Sequence, residues 1–436
     1  MYLQLDLLAP WRRLCEKPLV RNTGWLLAGQ LLGLVLQAAY FVLMARLLGA
    51  VQYGIFIGAF AFTGIVASYS PLGTGMVLLR YISSDRKAFA VYWGNVVLTT
   101  ISIGAFLTLL LHFAAAYFLN PPSAALVVLA SLANCVCAQL SIEAGRACRA
   151  FEQMRVTAIL NFLTSLMRTT AAIGMLLFLH TATAKQWAIA STAVSAVAAL
   201  IAVGVVTARF GRPRFELKIL RQHGVEGVGY SFAQSTTGVY NDVDKTMLCS
   251  FGLNLANGIY TVAYRIIDIA TIPISSLHDA ALPKFFQLGK GGVHESRNLA
   301  LRLIRRAMPI ACFMSFALFL SAPILPRVVG EGFTESVAAL RWLCLIPLFR
   351  SIHTITGAAL TGAGLQRYRT GSQITSAGLN LALNLWAIPH YGWLGAAWVS
   401  LLTDGALAAL NWFLLLKLDK QGWTHASVRQ NSILPA

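Results

Sequence analysis

Charge is missing from long stretches of this chain and gathered into the gaps between them. No Asp, Glu, Lys or Arg occurs across 47–79 or across 88–142. About 20 apolar residues are enough to cross the hydrocarbon core of a bilayer. Inside lipid every backbone N–H and C=O needs an internal partner, which a continuous helix supplies. The runs therefore predict an all-α polytopic membrane protein. Only 11% of the 436 residues are charged, against about 25% in a soluble domain. No polar segment is long enough to build a sizeable soluble domain.

Turn signals at Leu48-Gly49, Asn120-Pro121-Pro122, Gly211-Arg212-Pro213 and Pro389-His390-Tyr391-Gly392 separate the runs. They give twelve expected spans: 24–45, 53–79, 90–118, 124–145, 156–180, 186–208, 226–249, 257–282, 307–329, 338–361, 370–388 and 393–416. Of the 34 basic residues, 26 fall on the N-terminal side of the alternating loops, 4 on the other side and 4 within spans. Cytoplasmic loops collect Lys and Arg, so both termini are expected in the cytoplasm. The same bias accounts for the net charge of +18. Basic residues spread over many short loops do not make a nucleic-acid footprint.

The two halves of the chain echo each other. Gly24 corresponds to Gly227 and Gly54 to Gly258, an offset of 203–204 residues. Pro71 then falls near Pro273 and Arg80 near Lys284. The 4–5 loop, Ala150-Phe151-Glu152-Gln153, resembles the 10–11 loop, Ala363-Gly364-Leu365-Gln366. An offset of six spans keeps both halves in one orientation. The expected architecture is two parallel, pseudo-symmetric six-helix bundles with a substrate path between them. The boundaries read as 1–210 for the first bundle, 211–225 for a basic linker, 226–416 for the second bundle and 417–436 for a cytoplasmic tail.

Polar groups inside spans are costly, so they face protein or water and mark candidate sites. Span 7 carries Asn241, Asp242 and Lys245, the last two spaced to pair along one helix face. Span 8 has Arg265 and Asp268 at the same spacing. Arg168 in span 5 and Arg350 in span 10 have no acid three or four residues away. Gln30 and Gln37 in span 1, Asn161 in span 5, and Asn380 and Asn384 in span 11 complete the candidate set. Amides suit hydroxyl-rich sugars, and a guanidinium donates in pairs to phosphate. Each group also has a plainer reading as an ion pair or an interfacial anchor. Asp404 in span 12 reads as a packing partner, a proton site or part of the path.

Enzyme chemistry finds no footing. The seven cysteines contain no C-x-x-C and the eight histidines form no ligand cluster. Gly49-x-x-x-x-Gly54 lacks the Lys-Ser/Thr of a phosphate loop. No cofactor is expected, and any active transport would be secondary, with H+ or Na+ as coupling ion.

Ala45-Arg46-Leu47-Leu48-Gly49-x-x-x-Tyr53-Gly54 resembles the signature of the bacterial polysaccharide flippase family. That family lies within the multidrug/oligosaccharidyl-lipid/polysaccharide exporter superfamily. Asp244-Lys245, Gly258-Ile259-Tyr260-x-x-Ala263-Tyr264-Arg265, Gly330-Glu331-x-Phe333 and Asn380-x-x-x-Asn384 are similar to family segments as well. The resemblance covers nearly the whole chain. It implies a flippase in the bacterial inner membrane that carries undecaprenyl-diphosphate-linked oligosaccharide between leaflets. Membrane lipids, a polysaccharide polymerase and glycosyltransferases would be its partners. A cation-coupled multidrug exporter of the same superfamily is the alternative, although span 1 has no acid between Thr23 and Ala45.

Overall fold

The first helix, α1 (Pro18–Ala67), is too long for one crossing. Its 36-residue stretch Leu32–Ala67 would measure about 54 Å at a rise of about 1.5 Å per residue, against a core of about 30 Å. It breaks at Gly49, whose φ of 65° and ψ of 171° only glycine adopts without strain. The computed structural model describes residues 18–421, with side chains from Leu32 onward except Ala233, Thr237 and Lys290. The basic residues before Pro18 and most of the expected tail lie outside the described residues.

Among the described residues, thirteen further helices of eight residues or more follow. They are α2 (Thr74–Ile82), α3 (Phe89–Phe118), α4 (Val127–Ala150), α5 (Met154–Leu179) and α6 (Ala184–Phe210). Next come α7 (Leu217–Ser250), α8 (Asn254–Ala270), α9 (Ile272–Leu288) and α10 (Val293–Ser321). Last are α11 (Ser336–Leu343), α12 (Ile346–Gly362), α13 (Gln366–Tyr391) and α14 (Trp393–Lys420). Eight stretches among the described residues are long and apolar enough to cross a membrane. α1 supplies two of the expected spans across its kink. The spans of α7, α8–α9 and α13 fall below that apolarity because they carry the polar stripes noted above. The protein is a multi-pass, all-α membrane protein.

Two expected spans are interrupted, and at corresponding places. Span 2 stops at Ala67, turns through Pro71 and Gly73, and resumes as α2. Span 8 is divided between α8 and α9 at Thr271, with Pro273 in the first turn of α9. Proline has no N–H to continue a helix but fits its first turn. The two prolines matched by the repeat thus mark the same break, Pro71 in the turn before α2 and Pro273 inside the first turn of α9.

Two compact units divide the chain. The first comprises residues to Leu47, Thr63–Tyr117 and Ala124–Ser235. Its core joins Leu78 and Ile82 of α2, Phe89 and Trp93 of α3, Ala144, Ala147 and Cys148 of α4, and Val206 of α6. The small residues of α4 let the neighbouring helices approach. Beneath them the fully buried Glu143 accepts from Arg146 at 2.5 Å. Residues 211–216 are non-helical and lie across α3, with Arg214 N donating to Ala90 O at 2.7 Å. The expected 211–225 linker is therefore half helix, because α7 begins at Leu217.

The second unit comprises Leu48–Phe62, Phe118–Ser123 and the chain from Thr236. The division thus falls inside α7 and not at the linker. The early half of α7 is held by Arg80, which donates to Glu226 at 2.5 Å. The stretch after Gly49 joins the second unit through hydrogen bonds. Asn257 Nδ2 donates to Gly54 O at 2.8 Å, and Asn120 Nδ2 to Asn254 Oδ1 at 2.7 Å. The core of this unit joins Phe285 of α9, Leu299, Ala300 and Leu303 of α10, Ile355 and Leu360 of α12, and Leu415 of α14.

Candidate substrate site

A cavity of about 430 Å³ opens within the second unit. α7 contributes Tyr240, Asn241, Asp242 and Lys245, and α8 contributes Tyr264, Arg265 and Asp268. α12 adds Arg350, His353 and Thr354. The wall is completed by Arg369 and Gln373 of α13 and by Leu407 and Asn411 of α14. Spacings of three and four residues put each group on one helix face. Four basic and two acidic side chains line the space.

All of these charges except Arg369 are held in a connected network. Lys245 Nζ donates to Asp242 Oδ1 at 2.8 Å and to the Asn241 carbonyl, and it lies 5.2 Å from the Tyr264 ring centre. The Asp242–Lys245 pair expected from spacing is formed. Arg350 does have an acid, on the neighbouring helix: Nη1 donates to Asp268 Oδ1 at 3.0 Å and to Thr271 Oγ1 at 3.1 Å. Its Nη2 donates to Tyr264 OH at 3.2 Å. Arg265, the partner expected for Asp268, stands 4.0 Å from Oδ2 and is half exposed. Asp268 thus serves two guanidinium groups and sits nearer the one on α12.

Behind this wall lies Asp404 of α14, 1% exposed. Tyr240 OH donates to its Oδ1, and His353 Nε2 stands 3.6 Å from the same oxygen. Asp404 Oδ2 and His353 Nε2 are buried and have no hydrogen-bond partner among the described residues. Asn411 Nδ2 donates to the His353 carbonyl at 3.3 Å. Asp244 faces elsewhere, accepting from the buried Tyr260.

Five of the sequence candidates, Asn241, Asp242, Lys245, Arg265 and Arg350, therefore meet in one cavity. Asn380 and Asn384 do not line it. Both are buried, Asn384 Nδ2 donating to Asn380 Oδ1 at 2.9 Å and Asn380 Nδ2 to Thr403 Oγ1 of α14 at 3.2 Å. Their spacing made a polar stripe, and the stripe serves helix packing. Arg168, Asn161 and Gln37 belong to the first unit. Arg168 Nη2 donates to Ser195 Oγ of α6 at 3.4 Å, while Asn161 and Gln37 are exposed. The Gln30 side chain lies outside the described residues. Sequence reasoning missed Arg369, His353, Tyr240 and Gln373 as cavity residues. A span 11 beginning at 370 leaves Arg369 in the loop, whereas α13 begins at Gln366.

Residues 19–289 match the family described as "Polysaccharide biosynthesis protein". The chain belongs to that family. An uncharacterised membrane protein of Methanocaldococcus jannaschii is 23% identical over 209 residues, 47% of this chain and 48% of that protein. The chain thus spans about half the length of that curated relative. Among solved structures, the inward-facing form of a multidrug resistance MATE family transporter of the MOP superfamily superposes with a TM-score of 0.68. It is 14% identical, and the match covers 89% of this chain and 96% of that one. A MOP superfamily transporter from Pyrococcus furiosus gives a TM-score of 0.61 at 13% identity, covering 94% and 97%. These likenesses establish the fold.

Proposed function

We propose that the protein is a flippase that moves undecaprenyl-diphosphate-linked oligosaccharide units from the cytoplasmic to the periplasmic leaflet of a bacterial inner membrane. Alternating access would carry the head group while the lipid tail stays in the bilayer. The observation that carries this reading is the cavity's sign. Four basic side chains face two acidic ones in a space of about 430 Å³. A positive cavity attracts a diphosphate and repels a cationic drug. Membership of the polysaccharide biosynthesis family supports the same cargo. For the P. furiosus transporter, reversed polarity of the binding pocket suggests a different function. The same reasoning favours an anionic cargo here over multidrug export. Polymerase and glycosyltransferase would be the natural partners, one consuming and the other building the cargo. Asp404, with Tyr240 and His353, is the candidate for coupling to H+ or Na+.

The test is reconstitution into proteoliposomes. A fluorescent undecaprenyl-diphosphate-linked sugar should become accessible to a membrane-impermeant quencher or hydrolase on the far leaflet. A lipophilic cationic dye should not be moved. Dye transport without lipid-linked sugar transport would overturn the proposal in favour of an exporter.

A further inference from the structure

The cavity's positive charges are not equivalent. Lys245 is bound to Asp242, and Arg350 and Arg265 share Asp268. Arg369 is different. Among the described residues it makes no ion pair, and its hydrogen-bond partner is a neutral hydroxyl, Thr361 Oγ1 at 2.9 Å. It is half-buried in the first turn of α13. Its position is built rather than incidental. A Cβ on Gly357 of α12 would come within 3.2 Å of Arg369 Nε, so the missing side chain gives the guanidinium its bed. Thr361, one turn further on, fixes Nη1 and leaves the remaining N–H groups for the cavity.

Position along the cavity adds to this. Successive passes run in opposite directions, so the α12–α13 loop lies at the opposite end of the unit from the α7–α8 loop. Lys245 stands one turn and a half before the end of α7, and Arg369 one turn after the start of α13. The cavity therefore has an unpaired cation at one end, a shared carboxylate in the middle and a closed ion pair at the other. The basic excess over the acids is two, which matches in sign and count the charge of a diphosphate diester.

Building on the flippase reading, we propose that Arg369 is the anion-binding group of this cavity and makes the first contact with the diphosphate of a polyprenyl-linked cargo. A guanidinium fits that role because its planar fork donates two parallel hydrogen bonds to phosphate oxygens. Arg350 and Arg265 would follow, since an arriving anion can replace one end of their shared carboxylate.

The experiment measures equilibrium binding to the full chain in nanodiscs, with farnesyl diphosphate, farnesol and inorganic diphosphate as probes. Wild type should bind farnesyl diphosphate, with farnesol at least tenfold weaker. Arg369→Gln should weaken farnesyl diphosphate by tenfold or more, Arg369→Lys by only a few-fold, and Gly357→Ala by an intermediate factor. Arg305→Gln, an exposed charge on α10, controls for net charge and should bind as wild type. Wild-type affinity in Arg369→Gln would overturn the assignment while leaving the flippase reading intact. Inorganic diphosphate binding as tightly as the farnesyl compound would replace the lipid by a free anion and overturn the lipid-linked part. Failure of wild type to bind any diphosphate would remove the flippase reading and this proposal together. Monodisperse elution of each variant separates lost binding from lost folding.

Discussion

Gly54 and Gly258, 204 residues apart, are packed backbone to backbone onto each other's turn. A Cβ on Gly54 would meet the Asn254 carbonyl oxygen at 1.8 Å, and one on Gly258 the Ala50 carbonyl oxygen at 2.0 Å. Ala50 and Asn254 are separated by the same 204 residues. Two equivalent helix starts therefore cross reciprocally, as a local two-fold demands. The echo read between the halves of the sequence is a physical contact, and neither glycine can be replaced without parting the helices. Gly54→Ala and Gly258→Ala should destabilise the protein similarly, by about 1–3 kcal/mol or more, as overpacking does. Gly405→Ala, where a Cβ would find its nearest neighbour at an ordinary 3.6 Å, should not. Thermal melting in detergent reads all three, and a wild-type melting temperature for Gly258→Ala would deny the close crossing.

Asp268 is shared unequally between Arg350 and Arg265, at 3.0 and 4.0 Å. Charges inside a span cost about 2.5–3.5 kcal/mol each on insertion scales, so the nearer and more buried pair should be the more strongly coupled. Double-mutant cycles using Asp268→Asn with Arg350→Gln and with Arg265→Gln check this. Contacting pairs give interaction energies of about 0.5–3 kcal/mol. The Arg350 cycle should fall within that range and the Arg265 cycle near its lower end. A larger Arg265 term would reverse the ranking of the two pairs.

The helices were legible because charge is excluded from lipid, so the gaps in charge trace the spans directly. The Asp242–Lys245 pair was legible because both groups lie on one helix at a spacing that forces proximity. Arg350 was not, since its carboxylate comes from α8, and a single-sequence reading sees only neighbours along the same helix. Asn380 and Asn384 show the converse ambiguity. A polar stripe is equally consistent with a cavity wall and with helix packing, and the partner, Thr403 of α14, decides it. Arg369 was hidden by an error of a few residues at a helix end. That shift moves a charge from a solvated loop to the wall of a cavity.

Loop charge sets orientation, which gives a labelling prediction. Glu295 lies in the first turn of α10 and Glu331 beyond its far end, and both are exposed. The basic cluster Arg297, Arg302, Arg305 and Arg306 belongs to the Glu295 end. In a background lacking the exposed Cys312, Glu295→Cys should resist an impermeant maleimide in intact cells and react after permeabilisation. Glu331→Cys should react from outside. The opposite pattern would invert the expected topology.

Asp404 offers a separable test of coupling. Its carboxylate receives Tyr240 OH on Oδ1, has His353 Nε2 at 3.6 Å, and leaves Oδ2 without a hydrogen-bond partner among the described residues. Arg350 and Tyr264 stand on the cavity side of the same cluster. A buried carboxyl with one open oxygen beside an unpartnered imidazole can take up a proton or a small cation without rebuilding the wall. Asp404→Asn preserves size and the bond from Tyr240 but fixes the charge at zero. Lipid-linked substrate should then still bind, because Asp404 does not line the cavity. Transport in proteoliposomes should lose its response to an imposed pH or Na+ gradient and fall to the rate seen without one. His353→Gln should weaken the response to pH more than the response to Na+ if the imidazole shares the proton. Full gradient dependence in Asp404→Asn would leave this carboxylate a packing group held by Tyr240, and the coupling site would have to be sought elsewhere in the chain.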